Sequence, residues 1–564
     1  MGDLDEEPGR LLLRRSSAAE EPPGLMLDWH IGSDPRPVVV GGDGPYLHQA
    51  DGRQLFDASG GLAMSALGNS LPTQIASDVF QQIARVPHAT TQRVATEPMI
   101  DLAKEVASIA PAGGQLSHPF FAANGTDAVE VALQAALRYH QLRGDPARTK
   151  IVCLDHEFHG GSMWAVAAGG HRGHLARLAP WQPGPSVVLR APALPPYDAD
   201  VAAARAALVK VVEDADPSTV AALLIEAHNA TTGGAVVTPP GWHRAMREVC
   251  TRYGILLLVD EVTTGFGRTG LMWGLDHSPG VVPDLVTAGK GVCGGVIPLS
   301  MVLATDEVAS VIHAGPERLQ VRFTAAGHAV ACTAALSVLR HIRREGLVGH
   351  AKEAGEHLRG LLQMMHERFP RHVGEPRGIG LLLALPLWQD ATARVPFPRA
   401  RRVAERVCSV AMRHGLLIVG GSAWGDHVMI TPYLGITPAQ SAELAGLLEG
   451  VLDEVLADEA PLSGASRCPA GRQRAAPAGP HEHGGLLLRV RCRVGHVDGS
   501  PADPGTCRQA GQRAARPGAV LLPGRAARRD AGHAHARALD GQCPAVPGLD
   551  RGAGRRGGGA RRHA

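Results

Sequence analysis

The chain contains 564 residues, of which 45% are hydrophobic and 20% are charged. This length and composition are typical of a soluble globular protein with two or three domains, and no apolar run approaches the ~18 residues that a membrane-spanning helix requires. The net charge of +2 is unevenly divided, because residues 461–564 contain 18 Arg, no Lys and 6 Asp or Glu, which amounts to +12, so residues 1–460 carry −10. An acidic body gives no reason to expect a nucleic acid as its partner.

The N-terminus and the cysteines predict the cellular compartment. Residues 1–34 are interpreted as an N-terminal extension, which begins with acidic residues and lacks the apolar segment of a secretory signal. The cysteines of residues 1–460 are scattered and include no Cys-x-x-Cys pair; they are Cys153, Cys250, Cys293, Cys332 and Cys408. We therefore expect no metal site and no disulfide framework, and a reducing cytoplasm as the location.

The first part of the chain predicts most of the fold. Residues 35–75 are expected to contribute strands, such as Pro37–Val40, to a small domain, and residues 76–328 to form a large cofactor-binding domain. The apolar runs predicted as buried strands are Ile151–Leu154, Ala221–Ile225 and Ile255–Val259, and the predicted helices are Ala123–Leu142, Asp200–Asp214 and Gly241–Tyr253. Apolar strands that alternate with helices indicate an α/β fold with a mostly parallel sheet covered on both faces.

Residues 329–458 are predicted to form a smaller α+β domain. Its expected elements are a helix from Ala329 to about His366, a strand over Gly378–Leu385, a helix over Arg399–His414 and a final helix over Pro438–Leu456. The Gly378-x-Gly380 pair within the strand indicates close backbone packing rather than a dinucleotide site, because a lone glycine pair is a weak signal.

Residues 459–564 form a tail of different composition. Arg, Ala, Gly and Pro dominate it, and residues 461–564 contain no Phe, Trp or Tyr. Without an apolar period that could bury a core, the tail is predicted to be disordered. An Arg-rich appendage that binds RNA or a membrane is one alternative, but RNA binding generally adds aromatic stacking platforms. We favour an inert extension or a reading frame that continues past its true stop or is shifted.

Asp260 and Lys290 indicate the chemistry. Asp260 directly follows the apolar run Ile255–Val259, and Lys290 stands 30 residues later, after a second short apolar run. A lysine and a strand-end aspartate at this distance are what an enzyme needs to hold pyridoxal phosphate (PLP). The lysine amine bonds to the cofactor, and the carboxylate keeps the pyridine nitrogen protonated so that the ring withdraws electrons.

Three further stretches support a cofactor site. Asn124-Gly125-Thr126-Asp127 opens a predicted helix, where free backbone N–H groups and the helix dipole favour an anion. Phe158, in Phe158-His159-Gly160-Gly161-Ser162, offers an aromatic ring that can stack on a flat cofactor. A glycine-rich loop, Thr263–Gly270, directly follows the stretch that contains Asp260.

The order and spacing of these stretches together resemble the class III, omega-type, PLP-dependent aminotransferases of fold type I. The resemblance covers about residues 35–458 and is strongest between residues 120 and 335. It implies a large domain with a mostly parallel sheet and a smaller α+β domain. Gly125 and Thr126 match the turn that holds the cofactor phosphate. Thr324 matches a threonine that reaches the phosphate of the neighbouring subunit, which implies a homodimer with shared active sites.

The resemblance also assigns residues around the cofactor ring. Phe158 and Val262 match the residues that contact its two faces. Glu226 matches the strand-end glutamate of the family's Glu-Pro motif, although alanine replaces the proline here. Asp260 matches the partner of the pyridine nitrogen, and Lys290 matches the lysine that bonds to the cofactor.

The leading hypothesis is therefore an aminotransferase that moves an amino group from an omega-amine or amino acid donor to a carbonyl acceptor by a ping-pong mechanism. An aminomutase or a PLP-dependent decarboxylase of the same fold is an alternative within this class of enzymes. A non-catalytic PLP-binding scaffold protein is a further alternative, which the presence of both Lys290 and Asp260 disfavours.

The sequence departs from the family pattern in the expected substrate pocket. Relatives that use 2-oxo acids often carry an arginine near the end of the small domain, because the planar guanidinium pairs with a carboxylate through two hydrogen bonds. The corresponding positions here are Gly420 and Met429. The possible substitutes, each expected at the surface, are Arg322, Arg394 and Arg399. Leu62 and Ala63 stand where relatives often carry a bulky aromatic residue, which predicts a roomier pocket and a large amine.

Overall fold

The computed structural model describes residues 36–457, apart from residue 185 and residues 422–425. Its strands are β1 Val39–Asp43, β2 Tyr46–Gln49, β3 Gln54–Asp57, β4 His118–Ala122, β5 Lys150–Leu154, β6 Val188–Ala191, β7 Val220–Glu226, β8 Leu256–Asp260, β9 Leu285–Ala288, β10 Ser300–Ala304, β11 Arg377–Ile379, β12 Leu382–Leu387, β13 Leu416–Leu417, β14 Val419–Gly421 and β15 Asp426–Ile430. Its helices of more than four residues are α1 Thr73–Arg85, α2 Glu97–Ser108, α3 Gly125–Leu142, α4 Met163–Ala168, α5 Arg172–Leu178, α6 Val201–Asp214, α7 Trp242–Tyr253, α8 Asp306–Ala314, α9 Ala329–Arg344, α10 Leu347–Arg368, α11 Val403–Arg413 and α12 Pro438–Ala457. The predicted extension 1–34 and tail 459–564 lie outside the described residues. Within the described part of the chain, no helix is both long and apolar enough to cross a membrane.

The large sheet has the strand order β4-β10-β9-β8-β7-β5-β6. The strands from β9 to β6 run parallel, whereas β10 is antiparallel to both β9 and β4. Parallel neighbours end at the same edge of a sheet, and the last residues of β7 and β8, Glu226 and Asp260, are register partners. The predicted α/β class with a mostly parallel sheet is therefore confirmed.

Two apolar layers cover this sheet. In β8, Leu257 and Val259 belong to one buried cluster, with residues of α6, α7 and α9, whereas Leu256 and Leu258 belong to another, with residues of α3. Successive side chains of a strand point to opposite faces, so a strand covered on both sides must be apolar throughout. The first polar side chain of β8 is Asp260, at the edge where a ligand can reach it.

A second core lies in the C-terminal part of the described chain. The antiparallel sheet β11-β12-β15-β14 shares a buried cluster with α10, α11 and α12. A third sheet has the order β1-β2-β3-β13, in which Leu416–Leu417 pairs in parallel with Phe56–Asp57. The N-terminal strands thus join residues from the far end of the fold, and the strand predicted at Pro37–Val40 is observed at Val39–Asp43.

Two predictions for residues 329–458 are wrong in detail. The helix expected from Ala329 to His366 is divided at Gly346, whose φ of +62° is a left-handed conformation that ends α9. The strand expected over Gly378–Leu385 is instead a hairpin of β11 and β12, which turns at Gly380 with a φ of +56°. A Cβ added at Gly380 would lie 2.4 Å from the carbonyl carbon of Thr269, so the close backbone packing predicted there is confirmed.

Candidate active site

A chain of buried ionisable groups starts at the carboxyl edge of the large sheet. Asp260 Oδ2 lies 2.8 Å from His159 Nδ1, and Asp260 Oδ1 accepts a hydrogen bond of 3.0 Å from the Val262 amide. His159 Nε2 lies 3.3 Å from Glu157 Oε2, and Glu157 Oε1 accepts a 3.1 Å bond from the Glu226 amide. The imidazole therefore bridges two carboxylates, and one of them is the aspartate singled out in the sequence.

Burial and pairing determine the pKa shifts of these ionisable groups. Burial by itself lowers the pKa of His159, but hydrogen bonds to Asp260 and Glu157 outweigh it and raise the pKa to about 10. His159 is therefore an imidazolium at neutral pH. Burial raises the pKa of Glu157 and, together with the neighbouring Glu157 carboxylate, raises that of Glu226 well above its ordinary value. Among the described residues, Glu226 Oε2 has no hydrogen-bond partner although it is buried.

Lys290 follows β9 and lines a cavity beside this network. Its Nζ donates a 3.0 Å hydrogen bond to Thr263 Oγ1, in the glycine-rich loop after β8. Burial lowers the pKa of Lys290, while Asp260 and Glu226 partly counteract that effect. The φ of Lys290 is +42°, a left-handed conformation that costs a residue with a side chain about 1–3 kcal/mol and that tends to occur at functional sites.

The turn between β4 and α3 has the form of an anion cradle. Asn124 Oδ1 accepts a 3.0 Å bond from the Asp127 amide and so caps α3, whose first residue is Gly125. A Cβ added at Gly125 would lie only 2.8 Å from Val262 Cγ1, so the backbone approaches the segment after β8 closely. Thr126 Oγ1 accepts a 3.2 Å bond from the Gly161 amide. Free N–H groups at the start of an 18-residue helix favour an anion here.

The cavity beside Lys290 has a volume of about 390 Å³. Its lining comprises Leu62, His156, Phe158, His171, Gly173, His174, Thr231, Thr232, Lys290, Arg399, Val419, Gly420 and Gly421. Phe158, the predicted stacking residue, is half-buried and lines the same cavity as Lys290. Leu62 lines the cavity, whereas Ala63 is buried and is absent from the described lining.

The positions considered for carboxylate binding differ in whether they line the cavity beside Lys290. Gly420 lines the cavity, but Met429 is buried in an apolar cluster with Ala230 and Leu382. Of the three arginines, Arg399 lines the cavity. The Arg394 guanidinium instead pairs with Asp198 at 2.7 Å and lies 4.2 Å from the Tyr197 ring centroid. Arg322 is exposed and lines a different, open depression of about 1000 Å³.

Thr324 is the one predicted site residue that lies apart from the others. It is exposed, between Phe323 and Ala326, which line the open depression rather than the lysine cavity. Gly125, Thr126, Phe158, Glu226, Asp260, Val262 and Lys290 are brought to one region of the large sheet by the contacts described above.

Sequence reasoning assigned no role to Glu157, His159 or Thr263. The signal for His159 was present, because a histidine directly after an aromatic residue on a strand-end loop is placed to face the same edge as Asp260. Glu157 carried no such signal. Its contact with His159 is visible only in three dimensions.

These groups fit PLP. The cofactor needs a lysine amine, an anion-binding turn, a flat slot and a carboxylate for its ring nitrogen. Lys290, the cradle at Gly125, the Phe158 ring on the cavity wall and the buried Asp260 are suited to these tasks. The parallel sheet with the lysine after one strand and the aspartate at the end of its neighbour defines the class, a PLP-dependent enzyme of fold type I.

Comparisons with known proteins lead to the family. The family model described as aminotransferase class-III matches residues 32–452, so the chain belongs to the class III aminotransferases, which are PLP-dependent enzymes. An uncharacterized aminotransferase of Schizosaccharomyces pombe is 30% identical over 441 residues, which cover 75% of this chain and 93% of that protein. An adenosylmethionine-8-amino-7-oxononanoate aminotransferase of Nitratidesulfovibrio vulgaris is 30% identical, covering 76% of this chain and 78% of that protein.

A solved structure is similar over the same part of the chain. The crystal structure of a thermostable (S)-enantioselective omega-transaminase from Thermomicrobium roseum superimposes with a TM-score of 0.68 and 31% sequence identity. The match covers 75% of this chain and 93% of that chain. The predicted resemblance to omega-type aminotransferases, the fold and the enzyme class are therefore confirmed.

Proposed function

We propose that this aminotransferase binds PLP through Lys290 and transfers an amino group from an omega-amine or amino acid donor to a carbonyl acceptor by a ping-pong mechanism. The observation that carries the proposal is the Lys290 amine, which lines the cavity with Phe158 while the buried Asp260 ends the neighbouring strand. The omega-transaminase named among the similar structures supports an amine donor.

Asp260, which His159 contacts from behind, is proposed to stabilise the positive charge of the cofactor ring. When bound, PLP withdraws electrons from the substrate carbon through its protonated pyridine ring. Asp260 would keep that ring nitrogen protonated. His159, an imidazolium whose Nδ1 lies 2.8 Å from Asp260 Oδ2, would orient the aspartate, and Glu157 holds the imidazole from its other side.

Lys290 is proposed to be both the covalent anchor and the base. Its Nζ would accept the proton of the donor carbon, since burial lowers the pKa of Lys290 and favours the neutral amine. Thr263 Oγ1 accepts a hydrogen bond from Nζ and would hold the amine in position. The strained backbone of Lys290 is consistent with a residue placed for chemistry rather than for packing.

The remaining predicted residues are proposed to anchor and orient the cofactor. The backbone at Gly125 and the Thr126 hydroxyl would hold the phosphate at the start of α3, and Phe158 and Val262 would contact the two faces of the ring. Glu226, whose raised pKa favours the protonated form, can donate a hydrogen bond from its unpartnered oxygen.

We further propose a cytoplasmic homodimer. Thr324 is exposed beside the open depression that includes Phe323 and Ala326, and this exposure supports a role in which Thr324 would complete the partner's phosphate site. The described cysteines are free and buried, which fits a reducing compartment. Sedimentation of the purified enzyme would test the dimer directly.

A donor and acceptor panel tests the reaction. Purified protein incubated with PLP, amine donors and carbonyl acceptors should yield both a carbonyl product from the donor and an amine product from the acceptor, identified by mass spectrometry. Lys290→Ala should abolish both products, whereas Lys210→Ala, an exposed lysine paired with Asp214, should retain them. Carbon dioxide release, or an isomerised substrate without a second aminated product, would instead indicate the decarboxylase or the aminomutase.

A further inference from the structure

A second cavity lies beside β6. Its volume is about 460 Å³, which is within the range of small-molecule sites. In the described part of the chain, its lining has no residue in common with that of the cavity beside Lys290. β6 is the last strand of the large sheet as described, so no further strand covers its outer side. The lining includes Arg190 and Gln182, together with Leu175, Val188 and Val211.

Two hydrogen-bond donors of this lining have no partner among the described residues. They are Arg190 Nη1 and Gln182 Nε2, and both atoms are buried. The other end of the guanidinium is fixed, because Arg190 Nη2 donates to the carbonyl oxygen of Ala167 and, at 2.6 Å, to that of Gly169. Both carbonyls are uncharged, so they leave the positive charge of Arg190 in place. A buried donor without an acceptor is unfavourable, and a ligand that supplies an acceptor removes this cost.

The charges and the apolar surface of the lining define the class of ligand. Asp214 also lines the cavity, but it is exposed and its Oδ2 pairs with Lys210 Nζ at 2.7 Å. Arg190 therefore remains the charge that needs a counter-ion. One guanidinium donor and one amide donor match the two oxygens of a single carboxylate. Because Leu175 and Val211 add apolar surface, the cavity fits a small monocarboxylate with an apolar body.

Helix α5 contributes to both cavities. Leu175 lines the cavity beside β6, whereas Gly173 and His174 line the cavity beside Lys290. No residue of α5 whose side chain is described is buried, so this helix has few apolar contacts that resist local opening. Arg190 also bonds to the Gly169 carbonyl, just before α5. A ligand that packs on Leu175 and binds Arg190 would therefore stabilise α5 and, with it, one wall of the cavity beside Lys290.

We propose that the cavity beside β6 is a second ligand site, which takes a small organic monocarboxylate that is not a reactant, and that its occupation stabilises α5 as a wall of the Lys290 cavity. Arg190 Nη1 and Gln182 Nε2 bind the carboxylate, and the apolar body of the ligand packs against Leu175 and Val211. The site adds a regulatory ligand to the enzyme and takes no part in the transfer of the amino group.

Calorimetry with hexanoate and the uncharged hexanamide tests the site, using the full chain loaded with PLP. Arg190→Gln should weaken hexanoate binding about tenfold or more, because a charge-assisted hydrogen bond is lost, and should change the hexanamide Kd far less. Val211→Trp, at a half-buried position of α6, should abolish hexanoate binding because the indole occupies the cavity. Arg205→Gln is the matched control, since Arg205 is an exposed arginine of α6 that pairs with Glu248, and it should bind hexanoate as the wild type does.

Three results of the calorimetry would overturn the proposal. They are no hexanoate binding by the wild type, an unchanged hexanoate Kd in either Arg190→Gln or Val211→Trp, and tighter binding of inorganic phosphate than of hexanoate. Melting temperatures of the variants show whether each is folded, and Val211→Trp keeps the test decisive if Arg190→Gln is not.

Hydrogen exchange followed by mass spectrometry tests the effect on α5. With hexanoate at ten times its Kd, exchange in the peptide that spans residues 171–178 should slow by up to about tenfold in the wild type. The same peptide of Val211→Trp, and a wild-type peptide from α12, should show no change. Equal exchange of the α5 peptide with and without hexanoate would overturn the link to the Lys290 cavity. Neither measurement requires turnover, so a failure of the proposed transamination would leave both results interpretable.

Discussion

The substitution Asp260→Asn removes the negative charge of the Asp260 side chain while nearly preserving its size and shape. In the wild type, Asp260 accepts bonds from both His159 Nδ1, at 2.8 Å, and the Val262 amide, at 3.0 Å. An asparagine has one acceptor oxygen, so one of these two N–H groups would face the NH₂ group instead. The substitution also removes a negative charge from the side of the imidazolium.

The size of the effect can be worked out from His159. A rise in its pKa from the ordinary 6.5 to about 10 corresponds to about 5 kcal/mol of stabilisation of the imidazolium, shared between Asp260 and Glu157. Half of that, about 2–3 kcal/mol, should be lost from folding stability in Asp260→Asn. Because the folded pKa is the higher one, this stability is complete below pH 6.5 and is lost as the pH rises toward 10.

The catalytic loss should be larger than the stability loss suggests. A neutral amide cannot hold the cofactor nitrogen protonated, and removal of one charge-stabilising group at a reacting centre costs about 3–4 kcal/mol, or roughly 10²–10³ in rate. Stopped-flow absorbance would follow the half-reaction with a saturating amine donor, and urea unfolding at pH 7 and pH 9 would measure stability. Asp198→Asn, at the exposed partner of Arg394, is the matched control. A half-reaction rate near that of the wild type would refute the role assigned to Asp260.

Three further outcomes are expected. Borohydride reduction should leave the cofactor mass on the peptide that contains Lys290, and Lys290→Ala should lose this label and at least about 10³-fold in turnover; label on another lysine would contradict the site. Gly125→Ala, whose Cβ would lie 2.8 Å from Val262 Cγ1, should weaken PLP binding about tenfold in equilibrium dialysis, unlike Gly446→Ala, where nothing lies within 4 Å. Burial lowers the pKa of His243 to about 4, so the unfolded chain takes up a proton at a higher pH than the folded chain does. The free energy of unfolding should therefore fall by up to about 3 kcal/mol as the pH drops from 6.5 to 4. Urea unfolding across this range should show a weaker pH dependence of that free energy in His243→Gln.

The sequence by itself determined the elements whose pattern is local. The run Ile255–Val259 is apolar throughout because both faces of β8 are covered, and the position of Asp260 directly after it predicted a carboxylate at the ligand-binding edge of the sheet. The position of Lys290, just after the apolar run of the next strand, predicted in the same way that its amine lies near this edge. The division of the long helix at Gly346 was missed because the apolar pattern continues across the break, and only the positive φ of that glycine ends α9.

Only the tertiary structure decided which side chains meet across the fold. The bond from His159 to Asp260 joins residues 101 positions apart, and its protonation depends on Glu157 from the same loop. Arg399 and Arg394 carry the same charge on one stretch of sequence. The packing of that segment turns one toward the cavity and pairs the other with Asp198. Periodicity reports which face of an element is buried, whereas charge pairing and cavity walls depend on contacts between elements that lie far apart in the chain.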